Sequence, residues 1–136
     1  MKIFTFVFVV LIICLQLSAQ ITVSTHTELS NALATVLPGQ TIALNNGTWT
    51  DVQINLDANA SLANPITIKA KNAGAVVLEG NSKINIGGSH IYLEGFVFTN
   101  PSNLVSNNHR IDPIIKLRNA TVCNHCKITN IKIEDY

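Results

Sequence analysis

Two stretches of this 136-residue chain carry side chains able to do chemistry. Pro101 to Asp112, PSNLVSNNHRID, is polar, rich in Asn and Ser, and sets His109 beside Arg110. It interrupts an otherwise regular pattern, and loops inserted into a regular scaffold often build the binding face. The functional reading is substrate contact by His109 or Arg110. The plainer reading, a solvated loop, is the one favoured. The second stretch is Cys123-Asn-His-Cys126. A CxxC pair can be a redox couple, half a zinc site, a structural disulfide or simply two small buried hydrophobes. A redox pair usually sits at a helix N-terminus, where the dipole lowers the thiol pKa. These cysteines lie among strand-like residues instead, and no second His/Cys group adjoins His125. The buried-hydrophobe reading is taken here, with the disulfide as its alternative.

The elements that would position such residues are short strands. Val76 to Asn100 contains four apolar pairs, Val76/Leu78, Ile84/Ile86, Ile91/Leu93 and Phe96/Phe98, each with an intervening residue facing the other way. That is the strand period of two, and the Gly, Asn and Ser breaks between pairs are too small to hold a helix. Ile91-x-Leu93-x-Gly95-Phe96-x-Phe98 returns as Cys126-x-Ile128-x-Asn130-Ile131-x-Ile133, each position displaced by 35 residues. Gly and Asn both enter the left-handed backbone region easily, so corner chemistry repeats along with core chemistry. A strand repeat of this length predicts a solenoid. Upstream, Thr25 and Glu28 have capping-box spacing, Leu29, Leu33 and Val36 recur at helical spacing, and Pro38-Gly39 stops the run. One amphipathic helix ahead of a strand solenoid is placed to cover the open end of the core. Strands follow over Thr41–Leu44, Trp49–Leu56 and Ile66/Ile68, with Asp57–Asn64 as a polar connection. Ile115/Leu117 resume the core after the loop.

The N-terminus reads as an address. Lys2 precedes an almost unbroken apolar run, Ile3 to Leu17, and Leu17-Ser18-Ala19 offers a small-residue cleavage site. The run is shorter than the ~20 residues a spanning helix needs, so cleavage is preferred to a membrane anchor. The expected organisation is a signal peptide over 1–19 and one domain over 20–136, exported to the periplasm or beyond the cell and free of the membrane after cleavage. Losing Lys2 leaves eight basic against eight acidic residues. With no basic tract and no aromatic-basic interleaving, nucleic acid is not an expected partner.

THTELSNALATVLPGQTIALNNGTWTDVQINL resembles the opening of the family 6 polysaccharide lyases, which include chondroitinase B and many alginate lyases. NPITIKAKNAGAVVLEGNSKINIGGSHIYLEGFVFTN resembles their first full rungs, with Gly80-Asn81-Ser82 typical. In ATVCNHCKITNIKIEDY, residues Lys127, Thr129, Asn130 and Tyr136 match a family segment. The resemblance runs from Ile21 to Tyr136. It implies an all-β fold, a right-handed parallel β-helix with a short N-terminal capping helix, and β-elimination on an acidic, uronate-containing polysaccharide, alginate foremost. It also implies Ca²⁺ bound by Asn and acidic side chains, with a Lys base and an assisting Arg. The family's set follows in later rungs, so no catalytic residue and no metal ligand is carried onto this chain. Glu79, Glu94 and Glu134 are the nearest local carboxylates and read as solvated rung residues. The chain is accordingly expected to be the N-terminal piece of a longer lyase, ending on a mid-stack pattern and inactive alone. A non-catalytic glycan-binding or surface β-helix, or another β-helix enzyme such as a mannuronan epimerase or pectate lyase relative, remains the alternative.

Overall fold

The structure, a computed structural model, describes residues 19–102 and 113–135. The expected leader and the His109–Arg110 pair therefore lie outside the described residues. The chain begins with strand β1 (Gln20–Val23) and helix α1 (His26–Thr35). Thr25 caps the helix: its hydroxyl accepts from the Glu28 amide at 3.2 Å, while the Glu28 carboxylate reaches back to the Ser24 amide at 2.6 Å. Leu29 and Ala32 are buried, so the apolar stripe of the helix closes the end of the core.

Three rungs then wind in parallel. The first is β2 (Thr41–Leu44), β3 (Gly47–Thr50) and β4 (Gln53–Asn59). The second is β5 (Ile66–Ala70), β6 (Val76–Gly80) and β7 (Lys83–Ser89). The third is β8 (Ile91–Glu94), β9 (Phe96–Pro101) and the short pair β10 (Ile115–Lys116) and β11 (Cys123–Asn124). A fourth rung starts with β12 (Lys127–Thr129) and β13 (Lys132–Ile133). Like strands stack into three sheets: β1-β2-β5-β8-β12 (sheet A), β3-β6-β9-β13 (sheet B), and β4-β7 with β10 and β11 both on the far edge of β7 (sheet C). Every named strand pair is parallel.

Parallel stacking places like residues in columns. Ile68 meets Leu93, Val76 meets Phe96, Leu78 meets Phe98, and Ile54 meets Ile84, all with no exposed surface. Each such side chain contributes about 1.5–3 kcal/mol on leaving water. The 35-residue echo is the ladder itself: Ile128 pairs with Leu93 and Ile133 with Phe98. The corners repeat at the same interval. His90 and His125 (φ 53° and 54°), Gly95 and Asn130 (86° and 52°), and Asn100 and Asp135 (46° and 54°) all hold left-handed backbone.

Four expectations need correction. Trp49–Leu56 is not one strand; the chain turns at Asp51 (φ 57°) and splits it into β3 and β4. Asp57–Asn59 is strand and not connection, because β4 pairs with β7 in register as far as Asn59. Leu117 is 45% exposed and does not join the core; a tight turn bridges Arg118 to Val122 and takes the chain off the sheet there. Cys123 and Cys126 are bonded to each other as a disulfide, Cα atoms 5.9 Å apart, and both are only half-buried. The slot that Ile91 fills lies deep in the stack, whereas Cys126 opens the last rung, where no full burial is available to a lone thiol.

Candidate functional site

The carboxylates singled out from the sequence are not brought together. Glu79 is on sheet B and accepts a hydrogen bond from the Thr50 hydroxyl at 2.7 Å. Glu94 ends β8 on sheet A and accepts from the Asn130 side-chain amide at 3.4 Å. Glu134 is ion-paired with Lys132. Among the described residues no three His, Cys, Asp or Glu side chains are grouped to hold a metal ion.

One further acid is shaped by its surroundings. The Asp57 carboxylate accepts from the Thr121 amide at 2.7 Å and from the Thr121 hydroxyl at 2.8 Å. The backbone bond first, then the hydroxyl bond, hold its pKa below the usual aspartate range, against a small opposing effect of burial. Gly87 makes this possible, since any Cβ there would strike Asp57 and the Thr121 carbonyl. The pair pins the Arg118–Val122 turn onto sheet C, which is a structural task.

The densest gathering of chemistry-bearing side chains is the outward face of sheet A. Residues 66, 68, 91 and 93 point inward, so their neighbours point out. The register sets Thr41, Thr67, Tyr92 and Lys127 in one outward column, and Lys69, Glu94 and Thr129 in the next. His90 and His125 lie at the left-handed corners that precede β8 and β12. Their rings stack with centroids 4.9 Å apart and planes within 10°. Lys127 Nζ sits 6.0 Å from the centre of the Tyr92 ring. The His90 amide donates to Asn124 O at 3.0 Å and its carbonyl accepts from Ile66 N at 3.2 Å, so backbone bonds fix the histidine corner on both sides. Thr41 and Thr67, at the foot of the face, line a cleft of about 450 Å³ with Leu37–Gln40 and Ala63–Pro65.

The two imidazoles stack face to face across the rung, and the Lys127 ammonium lies over the Tyr92 ring. The 35-residue interval sets His90 opposite His125 and Tyr92 opposite Lys127.

The fold has known counterparts. The family model for chondroitinase B matches residues 23–136. The chain belongs to the chondroitinase B family. Among solved structures, the PL6 family alginate lyase AlyGC superposes with a TM-score of 0.73 at 28% identity, over 85% of this chain and 15% of that one. The PL6 family polysaccharide lyase Pedsa3628 from Pseudopedobacter saltans gives 0.69 at 31% identity, over 83% and 24%. A mannuronic acid specific family 6 lyase from human gut microbiota gives 0.66 at 20% identity, a likeness of fold. No curated protein sequence matches the chain. The chain spans only 15% to 25% of the length of these enzymes. Its architecture, a parallel β-helix, is theirs.

Proposed function

We propose that this chain forms the N-terminal rungs of an exported lyase that cleaves an acidic, uronate-containing polysaccharide by β-elimination, with alginate the first substrate to test. The observation that carries the reading is the chondroitinase B match across residues 23–136. The named relatives, an alginate lyase among them, support the substrate class. The leader-like Lys2 and Ile3–Leu17 support export.

β-Elimination requires three things at one place: a base for the proton beside the carboxylate, an acid for the departing oxygen, and positive charge against the developing enolate. The described residues do not assemble them. Nor do they fit calcium, because Glu79, Glu94 and Glu134 lie apart, each with its own partner, and no three acidic, His or Cys side chains are grouped. We assign both the calcium ligands and the reacting groups to residues other than the described ones, which contribute scaffold. Incubation with alginate, dermatan sulfate and pectate, read by ultraviolet absorbance of unsaturated uronates, tests this directly. The chain alone is expected to release none. Unsaturated products from the chain alone would refute the division of labour. A longer product of the same gene that cleaves none of the three would refute the lyase reading. It would favour the non-catalytic alternative.

A further inference from the structure

We propose that the Cys123–Cys126 disulfide is a redox-sensitive latch that fixes the last described corner between sheets C and A, and with it strand β12. The inference rests on the geometry of that corner and not on the lyase reading.

The corner occurs twice, 35 residues apart. Gly88-Ser89-His90-Ile91 turns the chain from β7 into β8, and Cys123-Asn124-His125-Cys126 turns it from β11 into β12. Cys123 stacks on Gly88 and Asn124 on Ser89 in parallel register, and both histidines hold left-handed backbone. The path is the same but the fastenings differ. In the inner corner Gly88 is itself left-handed, at φ 98°, and Ile91 is wholly buried. That corner is also bonded to a neighbour on each side. The Ser89 carbonyl accepts from the Ala60 amide at 3.0 Å, and the His90 amide donates to Asn124 O at 3.0 Å. The last described corner has no glycine, and Cys126, in the place of Ile91, is only half-buried. Among the described residues, backbone bonds from a neighbouring rung reach it from the inner side only. The disulfide supplies the closure that glycine, burial and a second neighbour supply one rung further in.

Strand β12 depends on that closure. It pairs along one side, with β8, and Ile128 at its centre keeps 38% of its surface exposed. A strand with so little burial opens easily, so the covalent tie at its head sets its order. The same tie holds the His125 ring against His90. Both cysteines are half-buried at the surface, open to a small dithiol. One thiolate of the dithiol attacks a cysteine sulfur, forms a mixed disulfide and expels the other cysteine as thiolate. The second thiol of the reagent then displaces the first cysteine and closes its own ring. The protein gains two electrons and two protons, and the reductant leaves as a cyclic disulfide. The chain's other cysteine, Cys14, lies in the N-terminal apolar run, so the exchange acts on this one bond. The latch is closed in an oxidising compartment and open among reducing thiols, which suits the export proposed above.

Hydrogen exchange followed amide by amide, with and without dithiothreitol and across low urea concentrations, tests the latch. The Gly88, His90 and Gly95 amides report on the last rung, since they donate to Val122 O, Asn124 O and Thr129 O at 3.3, 3.0 and 3.1 Å. On reduction their exchange should quicken about thirtyfold, the loop-closure effect of so short a bridge, with the shallow urea dependence of a local opening. The Ala60 and Ile66 amides, bonded to Ser89 O and His90 O inside the stack, should stay slower and keep a steep urea dependence. Re-oxidation should restore the slow rates. The double variant Cys123→Ser, Cys126→Ser should show the fast rates with no response to the reagent. His125→Asn, which suits the left-handed corner and keeps the disulfide, should leave Gly95 slow. Five results would overturn the latch: one shared rate and urea dependence for all five amides after reduction; unchanged rates in protein shown by thiol titration to be reduced; a bond that dithiothreitol does not reduce in the folded chain; a double-serine variant that does not fold; or fast Gly95 exchange in His125→Asn, which would make the ring stack the fastener.

Discussion

The substitution Gly88→Ala should damage this fold far more than Gly74→Ala, although both glycines hold left-handed backbone, φ 98° and 79°. An alanine in that region costs about 1–2 kcal/mol by crowding its own backbone. Against this, alanine narrows the unfolded ensemble and returns about 0.4–1 kcal/mol. At Gly74 an added Cβ meets nothing within 4 Å, so the net loss should be about 1 kcal/mol. At Gly88 the same Cβ would fall inside the Ala58 carbonyl group, directly across the β4–β7 ladder. A carbonyl in a ladder cannot swing away as a side chain can. The strands must part, which adds about 1–3 kcal/mol, for a total of about 2–4 kcal/mol. At about 4 °C per kcal/mol for a domain of this size, thermal unfolding should fall by about 4 °C for Gly74→Ala and about 8–16 °C for Gly88→Ala. Circular dichroism melts of the three proteins provide the measurement. If the two variants agree within about 0.5 kcal/mol, the close approach of the strands at Gly88 is refuted.

Three further outcomes are expected. Replacing Cys123 and Cys126 by Ser, or reducing them, should cost about 2 kcal/mol, since the cysteines are three residues apart and close a very short loop; urea unfolding with and without reductant reads this. Asp57→Asn should lower the melting temperature at neutral pH but not in strong acid. The folded pKa lies below the unfolded one, so the carboxylate's stabilisation is present above about pH 4 and lost as pH falls through the folded value; melts across an acid series should show the two proteins converge. Phe98→Ala should cost about 3–5 kcal/mol because Phe98 is wholly buried, while Ile133→Ala in the same inward column should cost under about 1 kcal/mol because Ile133 is 54% exposed; equal costs would mean that the column is not ordered as described.

The repeating parts of the fold were legible because period-two alternation and left-handed corners are local properties. Thr25 with Glu28 and the Pro38-Gly39 stop are each written within a few residues, and the Gly95–Asn130 equivalence shows as a repeat of one short motif. What was missed depends on partners far away in the chain. Asp57 looked like loop because its partner, Thr121, lies 64 residues on. Glu79 and Glu94 were read as solvated rung residues, and the structure keeps them apart, with β7 between them, one on sheet B and the other on sheet A. The interval between stacked residues also varies, from 20 residues between β6 and β9 to 30 between β4 and β7 and 35 between β8 and β12. Without those intervals, the residues that meet across rungs cannot be counted off. The outward pairs on sheet A were hidden for that reason, except where the 35-residue echo already disclosed them.

That echo ties scaffold and surface together. The offset that stacks Ile128 on Leu93 inside the helix is the one that sets Lys127 beside Tyr92 outside. Side chains alternate, so a slip of one residue between β8 and β12 would turn Lys127 into the core and Ile128 out to water. The apolar column resists such a slip through every buried pair above it. The register of the outer pair therefore comes from the core. Lys127→Ala, at an exposed position, should change stability by under about 0.5 kcal/mol, whereas Leu93→Ala, wholly buried beneath it, should cost about 2–5 kcal/mol in urea unfolding. Equal costs would show that the outer pair and not the inner column sets the rung register.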